Sequence, residues 1–468
     1  MPRAFPPSPS LKPTLASQLA SRRGRRIAGP GLEDPEKLQV HILSFEGPDD
    51  YSRAGGIASR VSGLADGLAQ AGLETHLWFV GDPDRPGHET QGSLHLHRWC
   101  QWISRYHPGG VYDGEEGKRE DFASSLPPFL FSQYLLPTIQ AGGQPVILAE
   151  EWHTADAILH LDWLLRSAGA RDGATMFWNA NNTFGFDRID WQRLRSAARI
   201  ATVSRYMRYR MWELGVDPLV VPNGLAVEAL TTPDPEESAA FSSLIGDRLA
   251  LTKVGRWNPD KRWLLAIDTI GELKRQGRRP VLIARGGVES HGSEVLGRAI
   301  ANGLQVVERS ASQPGVAGLL ECLAEIGDAD VVSLRSPLNP QACRLLFRNT
   351  AAVLANSGHE PFGLVGLETL AAGGIACVGG TGEDYAVPGW NCLLLQTTDP
   401  RELLRLLERL QNRPDEARAL RRNAVETARR FVWTEVIRRN LLPYLQVDGG
   451  RLLHREGSQE WLSTIEAT

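Results

Sequence analysis

Two glutamates, Glu360 and Glu368, bracket a glycine-containing apolar stretch in GHEPFGLVGLETLAAGG, residues 358–374. Strand-like AAVLANS before it and IACVGG after it leave room for one loop and one short helix. Pro361 suits a first helical turn and Gly373–Gly374 a stop, so the spacing predicts a helix beginning at Phe362–Gly363–Leu364. The first N–H groups of such a helix have no internal partners and sit at the positive end of its dipole, which suits a phosphate. Gly363 would let a ligand approach the backbone closely. Carboxylates only accept hydrogen bonds, so one acid before this turn and one behind it suit the hydroxyl pairs of two polyols flanking a diphosphate. A nucleotide sugar has that layout. From the residues alone a plainer reading stays open, with Glu360 answering the helix dipole and Glu368 solvated.

Other segments carry reactive types. KVGRWNPDKRW places Arg256 after a strand and Lys261 where a helix begins. Two cations there would neutralise a departing diphosphate, and such preorganised charge is worth about 3–4 kcal/mol per good contact. AEEWHTADA puts His153 at a strand end before a helix, and neighbouring Glu150 and Glu151 receive no role. SRAGGIASR holds Gly55 and Gly56, but no G-x-G-x-x-G is present and the preceding loop is too long for a dinucleotide turn. FWNANNTFGF offers Asn179, Asn181 and Asn182, which suit a turn, with Trp178, Phe184 and Phe186 able to stack on a sugar or to pack. His95 and His97 share a strand face, but with no carboxylate or thiol near them in sequence no metal site is assigned.

The elements that must position these residues alternate between strand and helix. LQVHILSFEG reads as a buried strand. Ile57, Val61, Leu64 and Leu68 then keep helical spacing up to a stop at Gly72. QPVILAEEWHT, ATMFWNANN, ARIATVSRYM and PLVVPNG continue the pattern, which implies a parallel sheet covered on both faces. A polar, proline-bearing break follows, and the alternation restarts at LALTKVGRW and runs through GIACVGG. The fold expected is α/β, two doubly wound Rossmann-like domains facing a cleft, with ligands beyond the carboxyl ends of the strands. The divisions are a disordered basic extension over 1–36, a first domain over 37–228, a linker over 229–246, a second domain over 247–430, a crossover helix over 431–446 and a tail over 447–468.

Composition excludes several classes. A chain of 468 residues that is 42% hydrophobic can bury two or three cores, and a net charge of −4 does not suit nucleic acid as the main partner. Five scattered cysteines without a C-x-x-C pair point to a reducing, cytoplasmic setting. No apolar run approaches the roughly 18 residues of a membrane span. The first 32 residues carry six Arg or Lys and no acid. That suits a transit peptide or, as preferred here, a disordered extension able to touch an acidic surface or the anionic lipid of a membrane periphery.

HEPFGLVGLETLAAGG followed by GGTGEDYAVPGWNCLLL resembles the E-x7-E signature and donor site of retaining GT-B glycosyltransferases of family 4, and the motif order agrees over roughly residues 38–446. The resemblance implies that Glu360 contacts donor-sugar hydroxyls, Glu368 holds the ribose, and the amides of Phe362, Gly363 and Leu364 lie against sugar and phosphate. Arg256 and Lys261 match the family's cation pair. Gly55 and Gly56 resemble the lysine-x-Gly-Gly loop of glycogen and starch synthases, with Arg53 in the lysine place, a departure that leaves the role of Arg53 open. EWHT looks like the region whose histidine, here His153, meets the donor sugar. FVWTEVIRRNLLPYLQV resembles the last helix, which crosses back onto the first domain, and Pro222–Asn223–Gly224 the turn before the interdomain linker. The implied activity is transfer of a sugar, glucose being favoured, from a UDP-, GDP- or ADP-sugar to a hydroxyl of a carbohydrate, lipid or small molecule, with retention. The departing phosphate would take the acceptor proton by same-face attack. No metal or other cofactor is needed if Arg256 and Lys261 carry the charge. The rivals are a sugar-nucleotide epimerase of the same fold and a non-catalytic sugar-nucleotide sensor.

Overall fold

In a computed structural model the described residues are 38–445 together with the short strands Val447–Asp448 and Arg451–Leu452, which pair antiparallel. The expected basic extension over 1–36 and the rest of the tail over 447–468 lie outside the described residues.

Eight strands form the first sheet. In chain order they are Leu38–Leu43 (β1), Glu74–Val80 (β2), His88–Gln91 (β3), Leu94–Trp99 (β4), Gln144–Glu150 (β5), Thr175–Ala180 (β6), Arg199–Thr202 (β7) and Leu219–Val220 (β8). Their spatial order is β3-β4-β2-β1-β5-β6-β7-β8, parallel except for the β3–β4 pair. Central strands such as VILAE in β5 are buried throughout, as a parallel sheet with both faces covered requires. The second sheet comprises Leu249–Val254 (β9), Pro280–Arg285 (β10), Val306–Arg309 (β11), Val331–Leu334 (β12), Ala352–Ala355 (β13), Ala376–Val378 (β14) and Leu393–Leu394 (β15). It is wholly parallel, in the order β11-β12-β10-β9-β13-β14-β15. In each sheet the order reverses beside the first strand, β1 or β9, and a crevice opens at the carboxyl ends of the strands there.

The 229–246 segment differs from its expected linker character. It contains a helix, Pro235–Ile245, whose Phe241 and Ile245 join the second domain's core. Asp234 accepts hydrogen bonds from the Glu236 and Glu237 amides, and Pro235 takes the first helical position. The acids and the proline that suggested a linker are a helix start.

The chain returns to the first domain at its end. Trp433–Val436, a wider turn over Ile437–Leu441 and Leu442–Leu445 pack Trp433, Val436, Ile437 and Leu441 against Val61, Leu64 and Leu68. Pro443 cannot donate to the Arg439 carbonyl, which explains the widened turn before it. Three glycines make room for Trp433: a Cβ on Gly63 would lie 2.1 Å from its Nε1, on Gly67 2.9 Å from its Cβ, and on Gly224 2.5 Å from its Cδ2. Among the described residues no helix is long and apolar enough to cross a membrane.

A paired substitution tests this seam. Gly63→Ala should lower thermal stability by about 1–3 kcal/mol through overpacking, despite alanine's better helix propensity. Gly297→Ala, in a helix where an added Cβ meets nothing within 4 Å among the described residues, should raise stability by about 0.5–1 kcal/mol. Denaturant melts of both variants measure the difference.

Candidate active site

A cleft of about 1140 Å³ lies between the domains and is lined from both. Its second-domain wall is built at the ends of β9 and β13. After β9 the chain turns through Pro259–Lys261, capped by Asn258, whose Oδ1 accepts from the Asp260 amide at 2.8 Å. Asp260 in turn holds the loop after β13, accepting from the Gly358 amide on its carbonyl (2.7 Å) and from the His359 amide on its carboxylate (3.1 Å). These loops bring Lys261 Nζ to 2.6 Å from Glu360 Oε2. Arg256 lines the same wall and is exposed.

The helix behind them begins at Leu364 and ends at Ala371, two residues later than the expected start at Phe362. Gly363 is the reason: its φ of 80° is left-handed, so it caps the helix. A side chain there would also collide, since a Cβ would lie 2.8 Å from Glu383 Cγ. The Tyr385 hydroxyl donates to the Gly363 carbonyl at 2.6 Å and fixes the turn. The Phe362 ring is buried against Tyr385 and Phe431, so only its backbone can serve a ligand. Glu368 lies in the second turn, half-buried at the cleft, and burial pushes its carboxyl up to about 7.

The first-domain wall holds Gly56 at the start of the helix Gly56–Gln70, with Gly55 as its cap. A Cβ on Gly56 would lie 3.5 Å from Leu364 Cδ1, so the two helix starts meet. The N–H groups of Ala54, Gly55 and Ala58 donate to one oxygen of buried Glu46, at 3.3, 3.0 and 3.1 Å. The Tyr112 hydroxyl donates to the other at 2.6 Å. Glu46 therefore does for this helix what a bound anion would do, and the Gly55 amide, in the loop that the synthase resemblance turns toward the donor phosphate or the acceptor, is already engaged. Arg53 is exposed, donates to the Pro48 carbonyl at 3.0 Å, and does not line the cleft.

His153 is buried on a short turn, Trp152–Thr154, with its ring stacked on Phe45 and Trp152 at 4.3 and 4.0 Å. Its Nε2 lies 2.7 Å from Glu115 Oε1, while its Nδ1 is buried without a partner among the described residues. Burial pushes its pKa down to about 4 despite Glu115, so the ring is neutral at ordinary pH. The asparagines divide: Asn179 and Asn181 amides donate to Glu150, and Asn182 accepts from the Phe184 amide in a turn. Trp178 belongs to the core, Phe186 packs on Trp191, and Phe184 stands 80% exposed at the cleft.

Sequence reasoning missed Glu46, Glu151 and Lys253. Glu151 lines the cleft with φ of 68°, a strained backbone for a non-glycine residue. Its carboxylate accepts from the Asn181 amide at 2.7 Å. Burial nevertheless raises its pKa to about 8, and Glu150 adds to the rise. Lys253, buried in β9, donates to the Leu354 carbonyl and to Asn356 Oδ1, both at 2.8 Å, and burial with Lys261 nearby lowers its pKa to about 7. A charged residue inside an apolar strand was the available signal in LALTKVG, as was the doubled acid at a strand end in LAEEWH.

The fold is GT-B. Solved structures with this arrangement include sucrose-phosphate synthase from Thermosynechococcus elongatus, 18% identical with a TM-score of 0.61 over 85% of this chain and 96% of that one. The catalytic domain of starch synthase IV from Arabidopsis thaliana, bound to ADP and acarbose, gives a TM-score of 0.60 at 15% identity, over 86% of this chain and 99% of that one. No protein-family model matches the chain. In sequence it is similar to proteins named D-inositol 3-phosphate glycosyltransferase. That of Frankia alni is 32% identical over 228 residues, 48% of this chain and 52% of the relative. The chain thus spans about half the length of this relative. The resemblance to glycosyltransferases of this fold is borne out by both comparisons.

The strained acid supplies a test. Glu151 has its folded pKa raised from 4.5 to about 8, so the unfolded chain loses this proton first as pH rises. Its contribution to stability therefore falls as pH climbs through that window. Glu151→Gln should melt like the parent near pH 4.5 and progressively above it as pH rises to about 8. Parallel thermal melts across pH measure the gap, and a constant gap would contradict the burial argument.

Proposed function

We propose that this chain is a retaining hexosyltransferase that moves a sugar from a nucleotide-sugar donor to a hydroxyl acceptor. The observation that carries the reading is the convergence on one cleft of the Lys261–Glu360 pair, the Leu364 helix start and Glu368, opposite Gly56 and His153. Relatives are named glycosyltransferases, and HepE of Anabaena, a neighbour in fold with a TM-score of 0.57, has been solved in complex with UDP-glucose. In this reading the second domain binds donor, the first binds acceptor, and closure completes the site.

Glu368 accepts from ribose hydroxyls and Glu360 from sugar hydroxyls. Arg256 and Lys261 face the diphosphate, joined by the backbone at Gly363 and Leu364. Lys261 exchanges its bond to Glu360 for a phosphate oxygen, so its charge meets the negative charge that builds on the leaving group. The leaving phosphate takes the acceptor proton on the face it departs from. His153, neutral and stacked, donates through Nε2 to Glu115 and accepts one hydrogen bond from a sugar hydroxyl at Nδ1. Gly56 gives the donor close backbone approach, while Gly55 acts through its bond to Glu46. No step requires a metal.

The first experiment is a panel of UDP-, GDP- and ADP-sugars read by thermal shift and by release of nucleoside diphosphate. Acceptors in the panel include inositol phosphate, because relatives carry that name. A donor that shifts stability and releases nucleotide when acceptor is added supports the transferase. Epimer formed without acceptor would favour the epimerase, and binding without turnover the sensor. Binding by no donor would sink the assignment of Glu360 and Glu368.

Two variants sharpen it. Lys261→Ala should cut kcat by about 10²–10³-fold, as loss of a transition-state contact does. Glu368→Gln should chiefly raise donor KM. Only ionised Glu368 can accept two hydroxyl bonds without donating, so parental donor KM should fall as pH rises through about 7, and that slope should vanish in Glu368→Gln. Wild-type kinetics in both variants would refute the roles.

A further inference from the structure

The edge of the first sheet farthest from β8 carries a grid of histidines that the cleft does not use. Register places Gln39 beside Glu74, and His41, His76, His95 and Thr90 in the next row across β1, β2, β4 and β3. The row beyond holds Trp78, His97 and His88. Residues in register share a face, and the rings stack: His41 on His76 at 4.7 Å, His76 on His95 at 4.5 Å, and Trp78 on His97 at 3.7 Å. Strand pairing supplies the carboxylate that the sequence around His95 and His97 lacks, in Glu74 at the amino end of β2.

We propose that Glu74, His76 and His95 form a binding site for a borderline divalent cation, Zn²⁺ above all. One donor atom from each lies within 4.8 Å of the others. His76 Nε2 and Glu74 Oε1 are 3.1 Å apart. A tetrahedral zinc with bonds of about 2.0–2.1 Å spaces its donors by about 3.3 Å, so binding requires a rotation of exposed Glu74 and a turn of half-buried His95 out of its stack on His76, which brings both imidazole lone pairs onto one ion.

The neighbours of these groups are those a metal site needs. His76 Nδ1 lies 3.0 Å from His97 Nε2. With the proton on His76 Nδ1, the His76 Nε2 lone pair and the Glu74 carboxylate point at one spot, two acceptors that a cation satisfies together. His95 Nδ1 is 3.2 Å from the Thr90 hydroxyl, which leaves His95 Nε2 as the ligand. The Gln39 amide donates to Glu74 at 2.9 Å and orients it. His97 is thus an orienting partner and not a ligand. Two imidazoles with one carboxylate favour zinc and its transition-metal neighbours over Mg²⁺ or Ca²⁺, which prefer all-oxygen sites. Glu74 and His95 face solvent in part, so the ion has an entry path and room for a water as fourth ligand. Bound there, it would tie β2 to β4, which carries the edge strand β3.

The alternative occupant of the His76–Glu74 gap is a proton, with His97 donating to His76. Metal titration of the full-length chain, untagged and freed of metal by chelator, separates the two. Zn²⁺ should bind at about one per chain, raise the melting temperature where Mg²⁺ does not, and be displaced by chelator. Co²⁺ should give the visible bands of a tetrahedral site. Glu74→Gln, at an exposed position, and His95→Ala, at a half-buried one, should abolish binding while melting like the metal-free parent. Thr90→Val should weaken it by about 10–100-fold. Absence of stoichiometric Zn²⁺ binding by the parent would overturn the proposal, as would unchanged binding in Glu74→Gln and His95→Ala.

Discussion

The buried pair of Arg60 and Glu150 ties the first domain to its half of the cleft. Arg60 Nε lies 3.1 Å from both Glu150 oxygens, and its Nη1 donates to Asn223 Oδ1 at 2.8 Å and to the Val221 carbonyl at 3.1 Å. Glu150 also accepts from the amides of Asn179 and Asn181, at 2.7 and 2.8 Å. One ion pair thus joins the Gly56–Gln70 helix, β5, the segment after β6 and the turn at Asn223, with Trp433 5.9 Å from the guanidinium. Removing one partner of such a pair strands the other in a dry interior, at about 3–5 kcal/mol. Several first-domain groups at the cleft are within a few residues of this network. Gly56 begins the helix that carries Arg60, and Glu151 and His153 follow Glu150 directly.

That arrangement explains how strain is held at the site. Glu151 takes a left-handed backbone because both sides of it are fixed: Glu150 by the ion pair, and the following turn by Thr154, whose hydroxyl donates to the Glu150 and Glu151 carbonyls. The Trp178 indole donates to the Glu151 carbonyl as well, at 2.9 Å. The opposite wall solves the same problem more cheaply. Its sharp turn falls on Gly363, where a positive φ costs little, and the Tyr385 hydroxyl locks it. A non-glycine residue in that conformation indicates that its side chain is needed there.

The alternation of strands and helices, the two domains and the E-x7-E segment were legible because each depends on local pattern. Apolar runs in QPVILAE and RPVLIAR mark buried strands, and proline and glycine mark the ends. What escaped depends on contacts between segments far apart in sequence. Nothing local says that Glu46 will cap a helix starting ten residues later, or that Lys261 will meet Glu360 across 99 positions. Nothing near His95 shows Glu74, because only strand register brings them together. The Pro235–Ile245 helix was misread for a different reason. Its capping aspartate, proline and glutamates are also the composition of a linker, and only their order distinguishes a helix start from one.

The charges of the cleft are balanced before any ligand arrives. Lys261 is paired with Glu360, Lys253 is held near the point where it loses its proton, and Glu151 and Glu368 are pushed toward their neutral forms. The buried groups among these cannot all stay charged without partners, since each would bear its own desolvation cost. Under the proposed function, a diphosphate entering the cleft would bring negative charge that two changes could meet. Lys261 can exchange partners, and Lys253, buried behind it, can take up a proton. Binding of an anionic donor and the protonation of these groups would then be coupled, so a proton count taken on donor binding would report on the same electrostatics that stabilise the departing phosphate.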